Sequence, residues 1–348
     1  MKRIVHAIAA FSAAALICGC SQTSPSASTS ASEKPTKVVL YTHDSFDLPK
    51  ELISDFEKET GYTVETVSPG DAGTVVNQLI LSKDAPLADV VCGIDTSFAG
   101  RALSSDILDE YRSTAAKTDP KLDADESGRL TPIDRGDVCV NADLDWFAQH
   151  PELPIPETLD DLARDEYKGK LVVENPASSS PGLIFLANTV ATYGEDWPSY
   201  WEKLKKNEVK VATGWTEAYN TDFSRAGGDR PLVVSYSSSP AFELKKGSTT
   251  ESHTKALLGT CFQQVEYAGV IKGAKNVDGA GKFIDFLLSE KVQTAIPDSM
   301  YVYPVVEGVK LPETWATVAK VPTDSKSLPV DKFDAKTWIA KWSELVLG

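Results

Sequence analysis

Along residues 37–65 the spacing of apolar positions changes twice. "KVVLYTH" is rich in β-branched and aromatic residues and reads as a strand. "DLPKELISDFEKETG" then places Leu48, Leu52, Ile53 and Phe56 on one helical face. Asp47 suits the cap of that helix, Pro49 its first turn and Gly61 its stop. "YTVETVS" returns to strand. A strand–helix–strand unit of this length predicts a parallel sheet with helices packed on it.

The alternation continues. "TVVNQLILSK" reads as a helix, "ADVVCGI" as a buried strand, "SFAGRALSSDILDEY" as a helix and "GDVCVNAD" as a strand. The proline-rich "HPELPIPETLDDLAR" leads into a second series. It has strands at "KLVVENP", "VKVAT", "PLVVSY" and "QQVEYAGVI", and helices at "PGLIFLANTVATYG" and "PSYWEKLKKN". "VDGAGKFIDFLLSEKVQTAI" reads as one long helix, and an amphipathic helix around "AKTWIAKWSELVL" ends the chain. The pattern is that of an α/β protein with two series. Ligands on such sheets bind beyond the carboxyl ends of the strands, where loops enter helices.

The first twenty residues follow a different logic. Lys2 and Arg3 precede an apolar stretch too short to span a bilayer comfortably, and Ile17-Cys18-Gly19-Cys20 ends it. This run resembles a bacterial lipobox with Cys20 as the lipidated residue; a plain secretory signal is the other reading. "SQTSPSASTSASEKPT", residues 21–36, has almost no apolar bulk and reads as a disordered tether. The protein is therefore expected to be exported and lipid-anchored to the outer face of the cell membrane. Export permits disulfides. The mature body keeps Cys92, Cys139 and Cys261, an odd number, and no pair has metal-ligand spacing.

A formal net charge of −15 argues against nucleic acid and leaves a field favourable to cations, besides its plain use in solubility. Enzyme motifs are missing: no Gly-x-Ser-x-Gly, no phosphate-loop lysine, no His-Glu-x-x-His. Strand ends carry the candidate chemistry. Ser178-Ser179-Ser180-Pro181 and Ser237-Ser238-Ser239-Pro240 each follow a strand. Serine suits an N-cap and proline the first helical position, so both read as capped helix starts or as anion cradles. Asp71-Ala72-Gly73-Thr74 is a third such start. Asp44 and Asp95 each follow a strand, and either caps a helix or faces a cleft. Trp215 and Tyr219 in "TGWTEAYN" share one helical face, as do Trp197/Trp201 and Trp338/Trp342.

Seven segments decide among these readings: "YTHDSFDLP", "ADVVCGIDTS", "NPASSSPGL", "TGWTEAY", "VVSYSSSPAF", "QQVEYAGV" and "IPDSMYVYPV". Together they resemble the thiamine-binding proteins of bacterial ABC importers. They occur in that family's order and span most of residues 38–305. The resemblance implies a two-lobed periplasmic-binding-protein-like fold of type II, with ligand in the cleft and jaw-like closure. Lobe 1 would be 37–138 plus 262–305, lobe 2 139–261, and 306–348 a helical segment packed on the lobes.

It implies capture of thiamine, and of thiamine phosphates, by a monomer that delivers to an ABC permease and its ATPase, without cofactor or metal. Trp215, Tyr236 and Tyr301 match aromatic contacts, with Tyr219 lining or supporting them. Ser179 and Ser180, with the turn Asp71, Ala72, Gly73 and Thr74, match the phosphate end. Asp95 matches a cleft acid. His43, Asp44 and Ser239 complete the expected site. Trp197/Trp201 and Trp338/Trp342 match no site and are assigned to the core.

Three positions depart from the family pattern: His43 where a tyrosine is expected, Phe242 where a tyrosine would close the motif, and Tyr301 at a position that can be tryptophan. Cys139 and Cys261 lie near segments expected at the lobe junction, so a disulfide between them is expected, with Cys92 left in the core. Two alternatives remain. One is a sibling binding protein for ferric iron or another small ligand, although the chain has no Tyr-Tyr pair. The other is a thiaminase-like enzyme on this fold, using a cysteine nucleophile.

Overall fold

The computed structural model describes residues 36–348. The expected leader, the lipidation position Cys20 and the tether up to residue 35 lie outside the described residues. In chain order the elements are β1 (Lys37–Thr42), α1 (Lys50–Thr60), β2 (Thr63–Val67), α2 (Ala72–Leu81), β3 (Val90–Asp95), α3 (Thr96–Ser104), β4 (Leu108–Asp109) and β5 (Thr131–Asp143). Then follow α4 (Leu144–Gln149), α5 (Leu159–Leu162), β6 (Leu171–Glu174), α6 (Ser180–Tyr193), α7 (Trp197–Lys206), β7 (Lys210–Ala212), α8 (Trp215–Glu217), β8 (Leu232–Tyr236) and β9 (Thr254–Ala256). The last part holds β10 (Phe262–Ile271), α9 (Val277–Leu287), α10 (Glu290–Ser299), β11 (Tyr303–Pro304), α11 (Trp315–Val318) and α12 (Ala335–Val346).

The strands form one 11-stranded mixed sheet whose main path runs β2-β1-β3-β10-β5-β8-β6-β7. At one end β1 pairs in parallel with β2 and β3. At the other β6 pairs in parallel with β7 and β8. Between them β10 is antiparallel to both β3 and β5, and β5 is antiparallel to β8. The long strands β5 and β10 thus belong to both halves. The expected lobe boundaries fall inside β5 and at the start of β10. Cys139 of β5 and Cys261, just before β10, are joined by a disulfide with Sγ–Sγ 1.99 Å, which staples the two crossing strands.

One apolar cluster lies within the first half, and a second runs across both. In the first, Phe56 of α1 meets Phe283 of α9 edge-on at 5.2 Å, beside Val38, Leu40 and Val90 of the sheet. In the second, Trp201 of α7 meets Phe185 of α6 at 5.8 Å and Trp342 of α12 at 5.4 Å. Trp197, Trp201 and Trp342 are buried, and Trp338 packs partly buried against the same cluster. Cys92 is fully buried in β3.

Several boundaries differ from the sequence reading. α1 starts after Pro49 with no side-chain cap, so Asp47 does not cap it. The stretch after β3 is helical only to Ser104 and then forms β4. The long helix expected over 277–296 is two helices, because Ser289 caps a new start by accepting from the Val292 N–H. Ser239–Ala241 is a single 3-10 turn and not the start of an α-helix.

Candidate functional site

The carboxyl ends of β1, β7 and β8 come together at one cleft of about 440 Å³. After β1 the chain supplies His43 and Asp44, after β7 Trp215, and at the end of β8 Tyr236. Tyr219, Ser239, Phe242 and Tyr301 also line it, with Glu266 of β10.

Trp215 and Tyr219 are stacked, ring centroids 5.0 Å apart and 18° between planes. The backbone achieves this with one α-helical turn that relaxes into a π-turn over Ala218–Asp222, a local distortion common at functional sites. The indole is aimed by a hydrogen bond from its Nε1–H to Ser235 Oγ, 2.8 Å. Ser235 Oγ in turn contacts Ser239 Oγ at 2.8 Å, and Ser239 Oγ accepts from the Tyr236 N–H at 3.1 Å. The serines of β8 and its turn therefore set the tryptophan rather than cradle an anion. Phe242 bridges the rings edge-on: it lies 6.5 Å from Tyr219 and 5.2 Å from Tyr301. It is 56% exposed, at the lip of the cleft. Tyr301 has φ +55°, a left-handed backbone that disfavours a bulky side chain; its carbonyl accepts from the Ser238 hydroxyl.

The floor is polar. His43 Nε2 lies 3.4 Å from Glu266 Oε2, and His43 Nδ1 lies 2.8 Å from Ser45 Oγ. The other Glu266 oxygen accepts from Gln264 Nε2 at 2.9 Å. Burial pulls the His43 pKa down, but Glu266, Asp71 and Asp44 outweigh it and leave it above the ordinary histidine value. Gly93, with φ +87°, makes room for the ring: a Cβ there would fall 2.1 Å from His43 Cδ2. Behind the floor, Asp134 of β5 is buried with neither carboxylate oxygen hydrogen-bonded. Burial and the neighbouring Glu266 push its pKa well up.

A second group of expected residues forms the contact between the halves. Asp71 caps α2 by accepting from the Ala72 N–H at 2.6 Å. It also accepts from the Trp215 N–H at 3.0 Å and the Ser180 N–H at 3.4 Å, both on the opposite half. The Gly73 N–H donates to Ser178 O at 2.9 Å, and the Thr74 N–H to Asp71 O at 2.9 Å. A Cβ at Gly73 would fall 2.8 Å from the Ser178 carbonyl, so this approach requires glycine. Ser179 caps α6 by accepting from the Gly182 N–H. Asp44 Oδ1 accepts from Thr216 Oγ1 at 3.1 Å across the same seam.

Ser179, Ser180, Ala72 and Gly73 are thus buried at a latch, with their N–H groups or hydroxyls engaged by protein or turned inward, and do not line the aromatic cleft. Asp95 does not line it either. It is fully buried as the cap of α3, taking the Ser97 hydroxyl at 2.8 Å and the Phe98 N–H at 3.2 Å. Burial raises its pKa to about 6, against the serine hydroxyls that lower it.

The structure adds two lining acids that sequence reasoning did not assign to the site, Asp47 and, within β10, Glu266. The signal for Glu266 was present: a carboxylate inside the apolar run "VEYAGVI" has to serve a purpose, because burying it unpaired is costly. Among the described residues no group of three or more His, Cys, Asp or Glu side chains is placed to hold a metal ion. The Cys92 thiol pKa is pushed well up by burial and by Asp134 and Glu266, and Cys139 is committed to the disulfide. Neither is an activated nucleophile.

Residues 51–323 match the family described as bacterial extracellular solute-binding protein. The chain is 29% identical over 327 residues to a thiamine-binding periplasmic protein of Brucella melitensis, covering 90% of this chain and 92% of that one. It is 28% identical over 320 residues to the protein of the same description from Escherichia coli, covering 89% and 93%. A solved structure described as a periplasmic thiamin binding protein superposes with a TM-score of 0.79 at 25% identity, covering 90% of this chain and 96% of that chain.

Proposed function

The chain belongs to the bacterial extracellular solute-binding proteins, and from that premise we propose that it captures thiamine in the aromatic cleft for an ABC importer. One observation carries the reading. The cleft pairs stacked and edge-on rings from Trp215, Tyr219, Phe242 and Tyr301 with the acids Asp44, Asp47 and Glu266, and among the described residues no lysine or arginine lines it. Thiamine offers a flat aminopyrimidine and a permanent thiazolium cation. Aromatic faces attract such a cation by about 0.5–2 kcal/mol each, and a carboxylate accepts from the exocyclic amine.

Phosphate esters are ligands of the same reading only at the seam, where Asp71–Thr74 meets Ser179 and Ser180. There the N–H groups of Ala72, Gly73 and Ser180 are already engaged by protein acceptors. A phosphate has to displace these contacts, and Asp71 repels it. Free thiamine is therefore the preferred ligand. Calorimetry with thiamine, its mono- and diphosphate and hydroxymethylpyrimidine tests this order. Tighter binding of the diphosphate than of thiamine would overturn it.

Binding leaves the vitamin intact, because the two candidate nucleophiles are buried or cross-linked. Incubation with thiamine and an added nucleophile should release no free pyrimidine; turnover would restore the enzyme alternative. The protein works as a monomer, delivers to a permease driven by an ATPase, and is held at the outer face of the membrane by lipid on Cys20. Cys20→Ala should abolish lipid labelling and release the protein from the membrane fraction. Equal labelling of the variant would remove the anchor from the account.

A further inference from the structure

Two unsatisfied atoms face each other on the cleft floor. His43 Nε2 and Glu266 Oε2 are buried, and neither has a hydrogen-bond partner. They lie 3.4 Å apart, and both side chains line the cleft. Their other polar atoms are committed to Ser45 and Gln264. This carboxylate oxygen faces the imidazole beneath the cleft surface, so a cation that reaches Glu266 competes with the histidine for it.

We propose that this pair makes capture proton-coupled: His43 neutralises Glu266 when protonated, and a cationic amine-bearing ligand replaces it when His43 gives up its proton. The proposal rests on the reading that the cleft takes thiamine. The step breaks one N–H bond, at the imidazolium, and passes the proton to water; no bond of the ligand changes.

The groups that face His43 all favour such an exchange. On its own loop are Asp44 and Asp47, and Asp71 approaches from the start of α2. From β10 comes Glu266, and behind it lies Asp134 of β5, whose pKa burial and Glu266 push well up. From β3 come the un-ionised Cys92 thiol and Gly93, which fixes the ring by contact. β8 contributes Tyr236, a neutral phenol near Gln264. Among the described residues, His43 is the only one lining the cleft that can carry a positive charge. Burial lowers its pKa, but the carboxylates of Glu266, Asp71 and Asp44 outweigh that and hold it above the ordinary histidine value.

The sign follows. Below the His43 titration a proton must leave for the cation to dock, so affinity for thiamine rises with pH. Above it Glu266 is already uncovered and affinity levels off. By linkage the apparent Kd falls by up to about tenfold per pH unit across the lower range.

Calorimetry of the full chain with thiamine tests this, at several values between about pH 6 and pH 8 in paired buffers of unlike ionisation heat. Proton release approaching one per ligand at the low end, and vanishing at the high end, is the expected result. His43→Gln should abolish the release and flatten the pH profile. His43→Tyr serves as a second non-titrating variant if the first folds poorly. Thiamine binding by the unaltered protein with no release and a flat profile would overturn the proposal. So would release that persists in both variants, since it would then come from another acid. An absence of thiamine binding at every pH is a separate result: it removes the thiamine reading and this proposal with it.

Discussion

Trp215 is the residue on which the binding account leans most. The indole is half-buried, one of its neighbours is the parallel Tyr219 ring at 5.0 Å, and its Nε1–H is fixed to Ser235. Replacement by alanine removes a wall of the cleft. Taking about a quarter of the 150–250 Å² that an aromatic side chain buries as the share a ligand covers gives about 40–60 Å². At about 25 cal/mol/Å² that area is worth about 1–1.5 kcal/mol. Lost attraction for the thiazolium adds about 0.5–2 kcal/mol. The sum, about 1.5–3.5 kcal/mol, is a Kd for thiamine raised by about 10- to 300-fold.

The assay is calorimetry on Trp215→Ala and Trp215→Phe, with circular dichroism and a melting curve to show that both remain folded. Phenylalanine keeps a ring face but drops the bond to Ser235, so its loss should be the smaller. A folded Trp215→Ala that binds thiamine as the unaltered protein does would refute the reasoning and make the indole a packing residue.

Other consequences concern stability. Loss of the Cys139–Cys261 disulfide by double substitution to serine should cost about 2–5 kcal/mol, read as a fall in denaturation midpoint, because it unties two distant points of the unfolded chain; an unchanged midpoint would contradict this. Trp342→Ala should cost about 3–5 kcal/mol, since a fully buried indole packed against Trp201 leaves a cavity. Asp95 makes a prediction in pH. Its folded pKa of about 6 lies above the unfolded value, so the folded state binds the extra proton. The penalty of burying the charge is present at neutral pH and is relieved as pH falls from about 6 to about 4. Asp95→Asn escapes that penalty, so its stability relative to the unaltered protein should fall over the same window, by up to about 3 kcal/mol. A difference that stays constant across the window would mean that Asp95 ionises as freely in the fold as in the unfolded chain.

The sequence disclosed local signals well and spatial convergence poorly. Strands such as "VVCGI" and "PLVVSY" are legible because their buried faces are continuous apolar runs. The aromatic pair at 215 and 219 is legible because four-residue spacing brings rings together whether the turn is α or π. The second helix start at Ser289 was masked by an apolar pattern that continues in phase across it. β5 begins at Thr131, five residues before Gly136, where the segment that reads as a strand starts. Pro132, Asp134 and Arg135 look like a loop until the strand is seen to cross between the halves.

The site shows the same division. Trp215, Tyr236 and Tyr301 line the cleft as single residues with a ring to offer. Asp71, Ser179 and Ser180 meet at the seam because one carboxylate reaches N–H groups 109 and 144 positions away in the chain. No local pattern encodes that reach. Asp95 and Asp44 illustrate the limit: both follow a strand and both are aspartates, yet one is buried as a cap and the other stands at the cleft.

The central claim is that this cleft holds intact thiamine. Native mass spectrometry of the purified chain with thiamine tests it most directly, followed by denaturation and identification of what is released. The account requires one thiamine per chain, recovered with its original mass. A chain that carries no thiamine at saturating concentration, or that yields only pyrimidine and thiazole fragments, would contradict it.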